Sequence, residues 1–357
     1  MKACNGPTQH NSTARPMTVL ETPAVLAPHT DGATAHSKAG SALEARVQAL
    51  WREAEDVLGI ELRPALGALF PAFSAGSHLD LYLPNGMRRS YSLVNAPQER
   101  HRYVIGVLRE RAGRGGSRCV HESLQVGMRL QLSQPRNHFV LQESAAHSVL
   151  VAGGIGVTPL LCMARHLHSL GLSFEMVYCA RSRSSAAFVE ELQALGMPLA
   201  MHFDDLKGGP PDLLDLLARR PPDANTHHYA CGPAAMLTGF QRACDTLGHQ
   251  NIHVERFVPL PTAPTDREPL GYRVELRRSG RLLTVAPGSS LLDTLLDAGL
   301  DIDHSCREGI CGSCTVRVLA GTLEHRDAVL MEEQRAANNV MMACVSGCSG
   351  AKLVLDL

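Results

Sequence analysis

Cys306-Arg-Glu-Gly-Ile-Cys311-Gly-Ser-Cys314 is the stretch on which the reading of this 357-residue chain turns. Cysteines five and three residues apart cannot all face one side of a helix or a strand. They can converge from a loop wrapped around a compact object, and thiolates are the ligands that soft metals and iron–sulfur clusters select. The spacing C-x4-C-x2-C with a distant fourth cysteine is that of a 2Fe-2S cluster. The fourth ligand is expected to be Cys344, in Met341-Met342-Ala343-Cys344-Val345-Ser346, whose apolar flanks read as a buried strand end. Cys348, among Ser and Gly, is its competitor. Gly309 and Gly312 let the loop turn inward and aim N–H groups at sulfur. Structural zinc usually takes two paired C-x2-4-C or His hooks, which this spacing fits poorly.

Working outward, the length predicts two or three domains, each with enough chain to bury a core. A formal charge of −1 gives no reason to expect nucleic acid or a lipid surface. Eleven cysteines, an odd number with one clear ligand set, point to a reducing compartment. No run of about 18 apolar residues predicts a membrane span, and no signal peptide is visible. The expectation is a cytoplasmic protein.

Residues 1–41 are rich in Thr, Ala, His, Ser, Pro and Gly and read as a disordered or loosely packed extension. From 42 to 145, short alternating runs (45–51, 57–62, 78–83, 89–94, 103–108 and 128–132) separated by turn residues predict an antiparallel barrel or sandwich. On one run, Arg89 and Tyr91 share a face with Met87. Arg114-Gly115-Gly116-Ser117 is a glycine-rich turn suited to holding a phosphate on backbone N–H groups.

From 146 to 258 the period changes. Apolar strands alternate with helices at 159–170, 186–195, 212–218 and 233–247, which implies a doubly wound parallel sheet. Thr158 is expected to cap the first helix, with Pro159 in its first turn and Gly171 past its end. The preceding turn, Gly153-Gly154-Ile155-Gly156-Val157-Thr158-Pro159, lies where such a sheet puts a pyrophosphate on a helix N-terminus. It equally reads as a tight strand-to-helix turn that needs glycine for geometry. Residues 259–269 hold four prolines and read as a semi-rigid linker. In 270–357 a hairpin around Ser279-Gly280 precedes a helix capped by Ser289 or Ser290, and then the cysteine loop.

Arg89-Ser-Tyr91-Ser92-Leu-Val-Asn95, Gly115-Gly116-Ser117, Gly153-Gly154-Ile-Gly156-Val-Thr158-Pro159, Cys231-Gly232-Pro233 and the cysteine set occur in one order. That order resembles the phthalate dioxygenase reductase and vanillate demethylase reductase family over residues 43 to 357. The resemblance implies three parts: an FMN-binding β-barrel, an NAD-binding α/β domain and a C-terminal β-grasp 2Fe-2S ferredoxin domain. It implies that Arg89 contacts the flavin phosphate, Tyr91 lies against the ring and Ser92 sits near its reactive nitrogen. Asn95 belongs to the same motif, and Gly115, Gly116 and Ser117 help hold the phosphate. Gly153, Gly154 and Gly156 form the nucleotide turn, while Thr158 and Cys231 border the nicotinamide. Glu255 and Phe257 resemble the family's acidic and aromatic pair beside flavin and nicotinamide. Cys231 as a buried hydrophobe and Phe257 as a core residue remain open readings.

The cofactors so implied are FMN, a 2Fe-2S cluster and NADH. Arg181, in Arg181-Ser182-Arg183, holds either cofactor phosphates or a 2′-phosphate, or caps a helix. Neither G-x-S-x-G nor H-E-x-x-H occurs and Cys119-Val-His121 lacks the second half of a Rieske motif, so the terminal chemistry is expected on a partner, which the resemblance implies is a Rieske-type oxygenase. Alternatives are an FAD reductase feeding a diiron hydroxylase and a non-catalytic redox-sensing module. Asp293, Asp297, Asp301, Asp303 and Glu308 around the cysteine loop read either as an acidic docking face or as a solvated surface.

Overall fold

The computed structural model describes residues 42–65, 67, 69–219, 223–259 and 271–357. The expected extension over 1–41 and the linker from residue 260 onward lie outside these residues.

The first part is built from β1 (Leu43–Ala54), β2 (Val57–Pro64), β3 (His78–Tyr82), β4 (Arg88–Ser92), β5 (Tyr103–Leu108) and β6 (Arg129–Leu132). They form one antiparallel sheet in the order β4-β3-β6-β1-β2-β5. The sheet rolls until its edges meet: Leu93 bridges Ile105, and the Val94 N–H donates to the Val104 carbonyl at 2.8 Å. Alternate residues point inward, so that Val47, Ile60, Leu62, Leu79, Leu81, Ile105 and Leu132 are fully buried together. Tyr103 stacks on Phe70 with ring centroids 4.0 Å apart and donates its hydroxyl to the Pro71 carbonyl. The Arg114–Ser117 stretch, read above as a turn, opens α1 (Gly116–Ser123). Its start is hidden in the sequence because the N-cap is Gly115 at φ +93°, a left-handed residue without a capping side chain.

The second part is the parallel sheet of β7 (His147–Gly153), β8 (Phe174–Ala180), β9 (Leu199–Phe203), β10 (Thr226–Cys231) and β11 (Asn251–Glu255), in the order β11-β10-β7-β8-β9. Between the strands lie α2 (Val157–Leu170), α3 (Val189–Ala194), α4 (Asp204–Lys207), α5 (Leu213–Leu217) and α6 (Ala234–Leu247). β7 shows the layering residue by residue. Leu150 and Ala152 pack with Leu160, Leu161, Ala164 and Leu167 of α2. Val149 and Val151 pack on the other face with Leu213 and Leu217 of α5 and Leu237 and Phe240 of α6. The run of apolar residues is continuous because both faces are covered.

Thr158 does not cap α2. The single 3₁₀ turn Gly154–Gly156 runs directly into the helix, whose N-cap is Gly156, and the Thr158 hydroxyl donates back to the Ile155 carbonyl at 2.9 Å. Gly171 closes the helix at φ +66°, as the sequence predicts. α3 is shorter than predicted because Phe188, at φ +58°, interrupts the helical backbone before Val189.

The third part contains β12 (Tyr272–Leu276), β13 (Leu282–Val285), α7 (Leu291–Asp297), β14 (Thr315–Ala320), β15 (Leu323–Glu324), α8 (Glu332–Ala337), β16 (Val340–Met342), β17 (Gly347–Cys348) and β18 (Lys352–Leu355). Its main sheet runs β13-β12-β18-β14-β16. Ser290 caps α7, accepting the Asp293 N–H at 3.0 Å. Leu291, Leu292 and Leu295 then bury the helix against Val274, Leu276, Leu353 and Leu355. No helix among the described residues is long and apolar enough to cross a membrane.

Candidate functional site: a cleft shared by both sheets and the cysteine loop

A cleft of about 1460 Å³ is lined by the rolled sheet, by the turn after β7 and by the cysteine loop. On the rolled sheet, β4 supplies Arg89, Tyr91 and Ser92. The Arg89 side chain crosses the start of α1, where a Cβ on Gly116 would stand 2.6 Å from Arg89 Nε. Gly116 therefore admits the guanidinium beside the N–H groups that open α1, a cationic corner suited to a phosphate. The Ser117 hydroxyl accepts the Glu110 N–H at 3.0 Å and so ties this corner to the preceding loop. Gly115 makes the turn but is not on the wall. Tyr91 packs against the core of the sheet, and burial pushes its phenol up.

Asn95 is not on the wall either. It is fully buried, with Nδ2 donating to the carbonyls of Ala96, Glu99 and Arg102 and Oδ1 accepting the Val104 N–H at 2.8 Å. Its amide clasps the 95–104 loop, away from the cleft wall where a cofactor contact was expected. Position within a motif does not reveal that backbone groups consume the side chain.

On the parallel sheet, Gly153, Gly154, Gly156 and Thr158 line the cleft with Arg181. Any Cβ on Gly156 would overlap the Cys231 carbonyl oxygen, and one on Gly153 would stand 2.5 Å from Met236 Sδ. These glycines thus serve both readings: the turn packs too closely for side chains, and its backbone faces open space. Glu255 and Phe257 reach the same cleft from the end of β11. Cys231 stands behind the wall, fully buried in the core shared with α2, where burial and then Glu255 push its thiol well up.

Gly106 on β5 was not singled out from sequence, yet it lines the cleft. A Cβ there would be 2.8 Å from the Phe188 ring and 3.0 Å from Thr158 Cγ2. Phe188 is itself pinned, its N–H donating to Glu53 Oε1 at 2.7 Å while Trp51 Nε1 donates to Glu53 Oε2 at 2.6 Å. The detectable sign was a glycine inside an apolar strand, Tyr103-Val-Ile-Gly-Val-Leu, which marks a close approach.

At the far end lie Cys306, Glu308, Ile310 and Cys311. Cys306, Cys311, Cys314 and Cys344 are all buried. The Cys306 N–H donates to Cys311 Sγ at 3.4 Å and the Glu308 N–H to Cys306 Sγ at 3.3 Å. The Cys344 thiol interacts with those of Cys306 and Cys314 and with the Gly309 N–H. Gly309 and Gly312 both have φ +69°, the inward turn that the loop requires. Four buried thiols, linked through Cys306–Cys311 and through Cys344 with Cys306 and Cys314 and met by backbone N–H groups, fit a 2Fe-2S cluster. Among the described residues no three His, Cys, Asp or Glu side chains gather tightly enough to hold a single metal ion. Cys348 points elsewhere, its Sγ 3.5 Å from the Lys352 carbonyl.

The acidic residues around this loop are partly spoken for. Asp303 pairs with Arg88 at 2.7 Å, Glu308 with Arg114 at 2.9 Å and Asp293 with Arg307 at 2.9 Å. His78 Nε2 lies 3.1 Å from the Cys311 carbonyl, and the His138 ring covers Gly312 so closely that a Cβ would overlap it. Burial, then Arg136, lowers His78 to about 3 and His138 to about 4, so both rings are neutral at physiological pH.

Residues 274–348 match the 2Fe-2S iron–sulfur cluster binding domain. The chain is 46% identical over 314 residues to the phenoxybenzoate dioxygenase subunit beta of Ectopseudomonas oleovorans, covering 87% of this chain and 96% of that one. Its fold is similar to the crystal structure of an intact type IV self-sufficient cytochrome P450 monooxygenase, with a TM-score of 0.82 and 39% identity. That match covers 88% of this chain and 41% of the longer one. Phthalate dioxygenase reductase, described as a modular structure for electron transfer from pyridine nucleotides to [2Fe-2S], matches with a TM-score of 0.64 and 36% identity over 89% of this chain and 98% of that one. With the cysteine loop, the glycine turn and the arginine corner on one cleft, this chain belongs to the phthalate dioxygenase reductase family of flavin and iron–sulfur oxidoreductases.

Proposed function

We propose that this chain takes a hydride from NADH and delivers its electrons, one at a time, through FMN and the 2Fe-2S cluster to a Rieske-type terminal oxygenase. In this reading residues 42–145 are the flavin barrel, 146–258 the NAD domain and 270–357 a β-grasp ferredoxin domain, acting in the cytoplasm. The observation that carries it is the continuity of the cleft, whose wall runs from the Gly153–Thr158 turn past Arg89–Ser92 to Cys306 and Cys311.

Bound at the arginine corner, a flavin supplies the conversion between two-electron hydride chemistry and one-electron chemistry. The chain's own residues bind and orient. Arg89 and the N–H groups of Gly116 and Ser117 hold the phosphate, Tyr91 flanks the ring, and the Ser92 hydroxyl sits beside the reactive nitrogen. Gly106 and Thr158 leave room for the nicotinamide to reach near-contact geometry. The glycine turn carries the pyrophosphate, and Arg181 holds the distal ribose or its phosphates. Burial raises the Glu255 carboxyl to about 8, so that it meets the nicotinamide uncharged at neutral pH, with Phe257 covering the entrance.

An anaerobic NADH titration, followed by absorbance and by EPR of the reduced protein, tests this. Bleaching of the flavin band together with growth of a 2Fe-2S signal is expected, and acid extraction should release FMN. FAD in the extract, or faster turnover with NADPH, overturns the respective assignment. Failure to reduce any one-electron acceptor with NADH overturns the enzymatic reading in favour of redox sensing. The fused cytochrome P450 in the similar structure favours one rival acceptor, a haem monooxygenase. Purified acceptors of the two kinds, compared for NADH-driven substrate oxidation, separate them.

A further inference from the structure

β4 also carries an arginine that the cleft does not use. Arg89 and Tyr91 face the cleft, while Arg88 and Ser90 reach the fully buried Asp80 on the neighbouring strand. Arg88 Nε donates to Asp80 Oδ2 at 2.9 Å, and its guanidinium carbon lies 4.9 Å from the centroid of the Tyr82 ring. Burial opposes ionisation of Asp80, but Arg136, Ser90 and Arg88 together hold it down at about 2. The root of Arg88 is therefore fixed by a permanent buried charge and an aromatic face.

Its remaining donors leave the rolled sheet. Nη1 bonds Asp303 Oδ1 at 2.7 Å and the His304 carbonyl at 2.6 Å, only three and two residues ahead of Cys306. Guanidinium suits this task, since a planar fork meets several acceptors at once in one fixed geometry. Asp303 is 54% exposed and so has water as an alternative, whereas the Arg88 side chain is 16% exposed and has little. The asymmetry makes Arg88 the fixed member and the cysteine-loop segment the part that is held. Arg114 adds a weaker second point, donating to the Cys306 carbonyl at 3.2 Å.

We propose that Arg88 is a positioning residue that clamps the cluster loop against the flavin corner through Asp303 and His304. The inference rests on the flavin-to-cluster relay proposed above. It assigns adjacent residues of one strand to two tasks, Arg89 to the cofactor phosphate and Arg88 to the separation over which electrons cross.

The test uses the full chain with its cofactors and the variants Asp303→Lys and Asp303→Glu, with Arg88→Gln as a second probe that leaves Asp80 paired to Arg136. In stopped-flow mixing with NADH, flavin bleaching should keep its wild-type rate in Asp303→Lys. Cluster reduction should slow about tenfold or more as the charge-assisted contact is lost, and Asp303→Glu should restore most of it. Independently of turnover, amide hydrogen exchange over residues 303–312 should speed up in Asp303→Lys and Arg88→Gln. Wild-type cluster reduction together with wild-type exchange in both variants overturns the clamp. If NADH fails to bleach the flavin in the wild type, the relay reading falls instead, and the exchange comparison alone decides whether Arg88 holds the loop.

Discussion

Cys231 stands opposite Glu255 in the register of β10 and β11, and one oxygen of that carboxyl, Oε2, is buried without a hydrogen-bond partner among the described residues. Desolvation of this kind favours the neutral acid and raises its pKa to about 8. The sign of the resulting pH dependence follows from proton counts. Between the ordinary glutamate value and about 8 the folded chain holds a proton that the unfolded chain has lost, so this group's contribution to stability declines as pH rises through that window. Glu255→Gln should flatten the stability profile there and leave the variant more stable than the wild type above pH 8. Urea unfolding at a series of pH values checks this; an unchanged slope would mean that Glu255 is ionised in the folded protein.

Cys344 shares contacts with Cys306 and Cys314, while Cys348 lies in the core of the third part with its thiol toward Lys352. Cys344→Ser should lose iron and labile sulfide together with the visible 2Fe-2S bands. Cys348→Ser should retain both at wild-type content, with a stability loss of about 1 kcal/mol for placing a hydroxyl in an apolar site. Iron and sulfide assays on the two variants side by side decide which cysteine is the fourth ligand.

Two glycines of one turn should behave differently. A Cβ on Gly156 would overlap the Cys231 carbonyl, whereas at Gly154 nothing lies within 4 Å and only φ +52° is unfavourable. Gly154→Ala should cost about 1 kcal/mol in thermal stability, the usual left-handed penalty, and weaken nucleotide binding by placing a methyl where backbone faces the cleft. Gly156→Ala must push β10 away from the turn and should cost about 1–3 kcal/mol, as overpacking does. Equal losses would show that the turn relaxes freely.

Asn95→Ala should behave as a stability mutant rather than a cofactor mutant. It strands the Val104 N–H and three carbonyls that the amide now satisfies, a cost of about 1–3 kcal/mol for the buried donor alone. Flavin content per folded chain should stay at the wild-type level. A flavin-free but normally stable variant would return Asn95 to the cofactor wall.

Local chemistry made much of this protein legible. Alternation from Ala45 to Gln48 follows from one wet and one buried face, and the apolar runs of β7 and β8 follow from helices on both sides. Where local chemistry was silent, the reading missed. α1 starts at a glycine with no capping side chain, α3 is cut short by a left-handed Phe188, and Thr158 lost the capping role to a 3₁₀ turn that no side chain announces. Gly106 carried a trace, a glycine in a strand, but its neighbours Phe188 and Thr158 come from distant elements.

By itself the sequence determined the ligand spacing of Cys306, Cys311 and Cys314, the glycine turn at 153–156 and the two-faced alternation of β4, because each depends on residues a few positions apart. Only the tertiary structure decided that Asn95 serves the backbone and that Cys231 sits behind the wall. It alone showed that Asp303 and Glu308 answer Arg88 and Arg114. Those outcomes turn on which groups compete for the same hydrogen bond or the same volume, and that competition is set by elements up to 215 residues apart in the chain.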